Sequence, residues 1–198
     1  STGNITDALA WMTKDFSIIA DSGDNPTAGG VGDRADILEE VLKQKIRHTL
    51  FAGIASKLAY EALKDSNEFI LGGTYGGGGP SLKLKADHVY FKNDCAVTSV
   101  SNTVVIITKL RRPFHNLKDF TDLKIDLKEF KTLIVKSGYL SPDLQSLSSP
   151  KFMALTSGAV NQDIKGIENN NRLQKIYPFQ DFNDYSPVVS NGEHLINQ

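Results

Sequence analysis

The chain is poor in the features that usually betray a function. Its 198 residues include one cysteine, one tryptophan and two methionines. A lone Cys95 cannot close an intramolecular disulfide, so the fold must stand on packing, as in a reducing compartment. Cys95 lies between Asp94 and Ala96 in what reads as a turn between strands, with no histidine near in sequence to activate it. Neither sign of charge dominates. With 22 basic against 23 acidic side chains the net charge is −1, which leaves no electrostatic footprint for nucleic acid or an anionic membrane. No stretch approaches the roughly 20 apolar residues of a spanning helix, and no charged-then-apolar leader opens the chain. The expectation is a cytoplasmic protein with no nucleic-acid or membrane partner. His48, His88, His115 and His194 show neither HExxH nor close HxH spacing, so no self-contained zinc site is expected.

What is present reads as α/β. "FSII" (residues 16–19) is a short apolar run, followed by a loop rich in glycine and aspartate and then by Ile37, Leu38, Val41 and Leu42 at helical spacing. "TLFAGI" (49–54) and the face Leu58, Ala59, Ala62, Leu63 repeat that cycle, which predicts parallel strands. Between residues 69 and 108 the pattern changes to alternation, with Leu82, Leu84, Ala86, His88 and Tyr90 on one side, and predicts an antiparallel or mixed β section. "KTLIVKSG" and "KFMALTSG" read as two more buried strands, separated by a helix that Ser141 caps and Pro142 opens. The whole chain, 1–198, reads as a single mixed-sheet α/β domain with flanking helices, a lead-in over 1–15 and an irregular tail over 183–198.

In such sheets ligands collect at the carboxyl ends of the strands. Three loops answer that description: residues 21–33, 136–141 and 157–161. In the first, "DSGDNPTAGGVGD", Gly29, Gly30 and Gly32 allow positive φ and close backbone approach, and Asp33 can cap the following helix. Asp24, Asn25 and Asp33 either shape the loop through Asx-type turns or face a ligand, metal or partner backbone. Lys136 ends an apolar strand and either snorkels or brings a positive charge to the same crevice. His88, on an apolar face, reads as a half-buried histidine rather than a ligand. The glycines at 76–79 lack a following GK[ST] and read as a turn rather than a phosphate cradle.

The order of "DSGDNPTAGGVGD", "GGTYGGGGPSLKLKA", "LIVKSGYLSPDL", "FMALTSGAVNQDI" and "YPFQDF" resembles the C-terminal domain of the MlrC (microcystinase C-like) metallopeptidases. The resemblance runs from Asp21 to Phe182. It implies an α/β domain that partners a larger N-terminal domain, where the family's zinc and peptidase centre reside. It implies no catalytic residue and no metal ligand in this chain, a peptide or small amide as substrate, and scope for homo-oligomers. On this reading the residues expected to face the cleft are Asp24, Asn25 and Asp33, which fix the loop's shape, Gly29, Gly30 and Gly32, which permit close approach, and Lys136, which supplies a positive charge. Three departures leave the substrate unspecified: "SGYLSP" stands where founding members carry His-Phe-Arg after Lys-Ser, Gln174–Lys175 replace an Arg-Pro pair, and the stretch between Phe91 and Val97 is much shorter than usual. Two readings compete with a metallopeptidase domain that shapes the active-site cleft or the dimer: a non-catalytic module that binds a small ligand or peptide on the Gly/Asp loop, and a self-sufficient enzyme using Asp24 and Asp33.

Overall fold

Short apolar runs build the fold's central sheet. The computed structural model describes residues 1–12, 15–168, 171, 176, 177 and 179. The chain divides into two compact units, Ser1–Gln162 and Asp163–Gln198. In the first, chain order is β1 (Thr2–Gly3), α1 (Ile5–Trp11), β2 (Ser17–Asp21), α2 (Asp36–Lys43), β3 (Thr49–Ala55), α3 (Lys57–Asp65), β4 (Glu68–Leu71), β5 (Leu82–Lys85), β6 (His88–Lys92), β7 (Cys95–Val100), β8 (Thr103–Thr108), α4 (Leu117–Thr121), β9 (Thr132–Lys136), α5 (Pro142–Ser146) and β10 (Lys151–Ala154). Among the described residues of the second unit, Asp163 caps a single 3₁₀ turn at Ile164–Gly166.

Eight strands form one mixed sheet in the order β1-β10-β2-β9-β3-β8-β7-β6, and β4-β5 form a separate hairpin. Pairing is parallel from β1 to β8 and antiparallel through β7 and β6. β2, β3 and β9 are buried along their whole length, which is why they read as unbroken apolar runs rather than alternations. One face packs Ile19, Phe51 and Ile134 against α1, α2 and α3. The other packs Ile18, Leu133 and Val135 against Phe120 and Leu123, in and just beyond α4, and Leu144 of α5. The first unit is thus a three-layer α/β structure. Residues 1–12 do more than lead in: β1 extends the sheet beside β10, and Asn4 closes a reciprocal capping box with Asp7 at the start of α1.

Three sequence expectations are corrected. Asp33 does not cap α2, which starts at Asp36 with Ala35 at its N-cap and no side-chain cap bond. Asp33 is held elsewhere, by amides of the glycine-rich turn described below, and Asp36 and Glu39 supply the acidic first turn instead. His88 is exposed, not half-buried. The alternation from Leu82 does not run through it, because Ala86–Asp87 separates β5, in the hairpin, from β6, in the main sheet, and resets the phase so that Val89 points inward. Cys95 starts β7 instead of occupying the turn, which Asn93 and Asp94 make with φ of 51° and 56°. Burial pushes its thiol pKa up, against a smaller downward pull from Arg112, whose Nη1 lies 3.6 Å from Sγ; a thiol so placed is poorly nucleophilic.

Candidate functional site at the carboxyl edge of the sheet

Strand register brings the site together. β2 and β9 are parallel neighbours, and their last residues, Asp21 and Lys136, are direct partners, with Ala154 of β10 on the other side of Asp21. Residues paired in this way project to the same face. That face is the one lined by Ile19 and Ile134, and Lys136 Nζ lies 5.9 Å from the centroid of the Phe51 ring. The ammonium donates to Asp21 Oδ2 at 3.0 Å and lies 3.2 Å from Asp24 Oδ2. All three side chains are at least 96% buried. Lys136 therefore does not snorkel, and its charge is spent inside the protein.

Every remaining oxygen of these two carboxylates is engaged. Thr156, just after β10, donates its hydroxyl to Asp21 Oδ1 at 2.6 Å and accepts the amide of Gly23 at 2.8 Å. Asp24 accepts the amides of Gly32 through Oδ1 and of Arg34 through Oδ2, both at 2.8 Å. One buried carboxylate thus ties the two ends of the loop to each other and to the sheet. Two acids share one ammonium, and the surplus negative charge is met by backbone N–H dipoles, the arrangement that makes a buried charge tolerable.

The other sequence-selected residues also turn inward. Asn25 is buried, and its Oδ1 accepts from the amide of Thr27 at 3.0 Å and the hydroxyl of Thr27 at 2.8 Å. Asp33, fully buried, accepts through Oδ2 the amides of Tyr75 at 2.6 Å and Gly77 at 3.4 Å, while Oδ1 has no partner. The glycine-rich turn is therefore wrapped around Asp33, and Arg34 fastens it further by donating to Gly77 O at 2.9 Å while forking onto Asp36. Gly30 is packed against its own loop: a Cβ there would lie 2.6 Å from the carbonyl carbon of Asp24 and 2.7 Å from the amide nitrogen of Asn25. Gly29 and Gly32 have φ of 100° and 81°. Only Thr27, Ala28 and Gly29 are exposed between Asp21 and Asp33.

The three loops read from the sequence meet here. Gly23 accepts the amide of Val160 at 2.9 Å, and a Cβ on Gly23 would collide with the carbonyl oxygens of Thr156 and Ser157. On the other side Gly138 sits against Asn25 and Gln162, where its own Cβ would run into Gln162 Nε2. The outward result is a small surface made by the tip 27–29, Tyr139 and Ser157–Ala159, over a locked ionic base. Thr156 carried no sequence signal of its own; a threonine directly after an apolar strand that ends beside Asp21 is the only hint. For a metal the donor set does not fit: Asp21 and Asp24 are occupied by an ammonium, a hydroxyl and amides, which leaves the single oxygen Asp33 Oδ1. Among the described residues no group of three His, Cys, Asp or Glu side chains can hold a metal ion, and no helix is long and apolar enough to cross a membrane.

Comparison with known proteins agrees with this architecture. The family model described as MlrC C-terminus matches residues 19–76 and 73–171. A crystal structure of a candidate metallopeptidase from Mesorhizobium sp. BNC1 is similar over 92% of this chain and 42% of that chain, with a TM-score of 0.68 and 15% identity. At that identity the likeness is one of fold, and this chain corresponds to less than half the length of that protein. No curated protein sequence matches.

Proposed function

Because the chain belongs to the MlrC C-terminal domain family, we propose that it is the C-terminal part of a zinc-dependent metallopeptidase or amidohydrolase, and that its carboxyl-edge loops form one wall of the substrate cleft. The zinc and the attacking water belong, in this reading, to a preceding domain of the same polypeptide, in the cytoplasm. The substrate, in this reading, is a peptide or small amide.

One observation carries the reading. Asp24 and Lys136 face each other inside the protein, so the edge offers shape and main-chain groups instead of an unpaired acid or base. A wall built on a satisfied ionic base holds its geometry while substrate binds, which is what positioning requires.

The test compares residues 1–198 with the longer polypeptide after dialysis against zinc. The reading expects stoichiometric zinc and peptide or amide hydrolysis only in the longer protein. One equivalent of zinc retained by residues 1–198, with comparable turnover, would replace it with the self-sufficient enzyme.

A further inference from the structure

Exposed apolar side chains gather along one side of the same edge, around Tyr75 and Lys109. Tyr75 is the hub. Its hydroxyl accepts the amide of Lys57 at 2.9 Å and donates to the carbonyl of Lys109 at 2.8 Å. The residues that follow those two lysines, Leu58 in the first turn of α3 and Leu110 just beyond β8, are 58% and 67% exposed. Lys109 continues the stripe, with its Nζ 5.5 Å from the centroid of the Tyr60 ring, and Tyr60 stacks edge-on against the exposed Phe91 of β6 at 5.3 Å. Tyr75 is thus linked through Lys109 and Tyr60 to Phe91, and the exposed Leu58 and Leu110 directly follow the two residues whose main chain its hydroxyl holds. Single exposed leucines mean little, but a contiguous group on a soluble domain marks an interaction surface.

The stripe is also preorganised. Tyr75 is pinned through its hydroxyl at two points and through its amide by Asp33 Oδ2, so little side-chain freedom is lost when a partner covers it. Through Asp33 it is continuous with the 21–33 loop. Its rim carries Lys57, Lys64, Lys109 and Arg111, with Glu61 bridging two of these lysines. The fold occurs within a chain more than twice as long, since this domain covers 42% of the similar solved protein.

We propose that this stripe is the surface on which the preceding domain of the same polypeptide docks, through an apolar patch rimmed by carboxylates. The proposal rests on the reading of the chain as the C-terminal part of a two-domain enzyme. It places the interdomain contact beside the cleft wall, so that docking and cleft geometry share Asp33 and the glycine-rich turn.

Side-chain labelling by hydroxyl radicals in the longer polypeptide tests it, because the molecule carries its own control. Tyr75 and Tyr90 are 40% and 41% exposed in this domain, and Tyr90 lies on the opposite face of β6 from Phe91, its hydroxyl donating to Leu123 O at 2.7 Å. The expected result is several-fold weaker labelling of Tyr75 than of Tyr90, with Leu58 and Leu110 protected as well. The double variant Leu58→Ser/Leu110→Ser, which alters two solvent-exposed side chains, should bring Tyr75 labelling back toward that of Tyr90. Equal labelling of the two tyrosines in the unaltered protein overturns the proposal. So does protection that disappears when a dimer is diluted to monomer, which would assign the stripe to a second copy. Peptide hydrolysis by the same sample separates the two claims. Activity with Tyr75 fully labelled removes the docking surface and leaves the enzyme reading standing, whereas an inactive sample with Tyr75 protected does the reverse.

Discussion

Charge is paired in two very different regions of this molecule. On the outer surface, Lys118 and Asp122 of the α4 segment approach to 2.5 Å, and Lys64 and Glu61 of α3 to 2.6 Å, with solvent around both pairs. Under the carboxyl edge, Lys136, Asp21 and Asp24 meet at longer distances, 3.0 and 3.2 Å, without solvent. The shorter contacts are the weaker contributors. Water screens an exposed pair and competes for it, so such pairs contribute about 0–1 kcal/mol. Inside, neither partner can be removed without stranding the other. The lesson is that the buried cluster is scaffolding that fixes the loop's shape.

The largest expected effect follows directly. Lys136→Met leaves Asp21 and Asp24 buried without a cation and should cost about 3–5 kcal/mol, read as a lower midpoint in urea unfolding. A loss under about 1 kcal/mol would mean that the carboxylates are relieved by protonation or by water, and that the two regions do not differ as claimed. Next comes a pair of glycines in one loop. Gly30→Ala forces a Cβ against the Asp24–Asn25 backbone and should cost about 1–3 kcal/mol. Gly29→Ala meets no atom within 4 Å and is penalised only by its φ of 100°, by about 1 kcal/mol. Thermal melts of both variants check the order, and its reversal would mean that the loop is not closed on itself.

A smaller effect is pH-dependent and belongs to the rim of the fold. Burial pushes the Asp119 carboxyl pKa up, but the amides of Asn116 and His115 and the guanidinium of Arg112 outweigh it and hold the pKa below the usual carboxylate value. A depressed folded value contributes stability that is present above the unfolded pKa, near 3.9, and is lost as pH falls through the folded value. Asp119→Asn should therefore flatten the acid limb of the stability curve below about pH 4 and change its shape little near pH 7. An unchanged acid limb would assign that limb to other groups. The smallest effect is Lys118→Met, which should shift stability by less than about 1 kcal/mol despite the short contact it deletes.

How much of this was legible beforehand depends on range. Strands β2, β3 and β9 were readable as apolar runs because burial on both faces demands them, β10 as a shorter run buried on one face, and the Ser141–Pro142 start of α5 because capping is local. Convergence of three loops at one edge followed from the βα pattern. What could not be read was which way each polar side chain turns. Lys136 points inward because register sets it beside Asp21, 115 positions away. Asp33 abandons its helix because amides 42 and 44 residues later reach it first. Opposite charges closing two buried strands were, in hindsight, the one sequence signal of the ionic base. The segment 117–130, with α4 and the 3₁₀ turn at Leu127–Glu129, was not anticipated: its helices are too short for periodicity to register.

The central claim is that the 21–33 loop is a cleft wall whose working part is its exposed tip. Ala28→Tyr adds bulk at that tip, where solvent already surrounds the side chain. In the longer, zinc-loaded polypeptide, kcat/KM for peptide or amide hydrolysis should fall roughly tenfold or more while the melting temperature stays where it was. An unchanged kcat/KM would contradict the account and leave the loop as architecture alone.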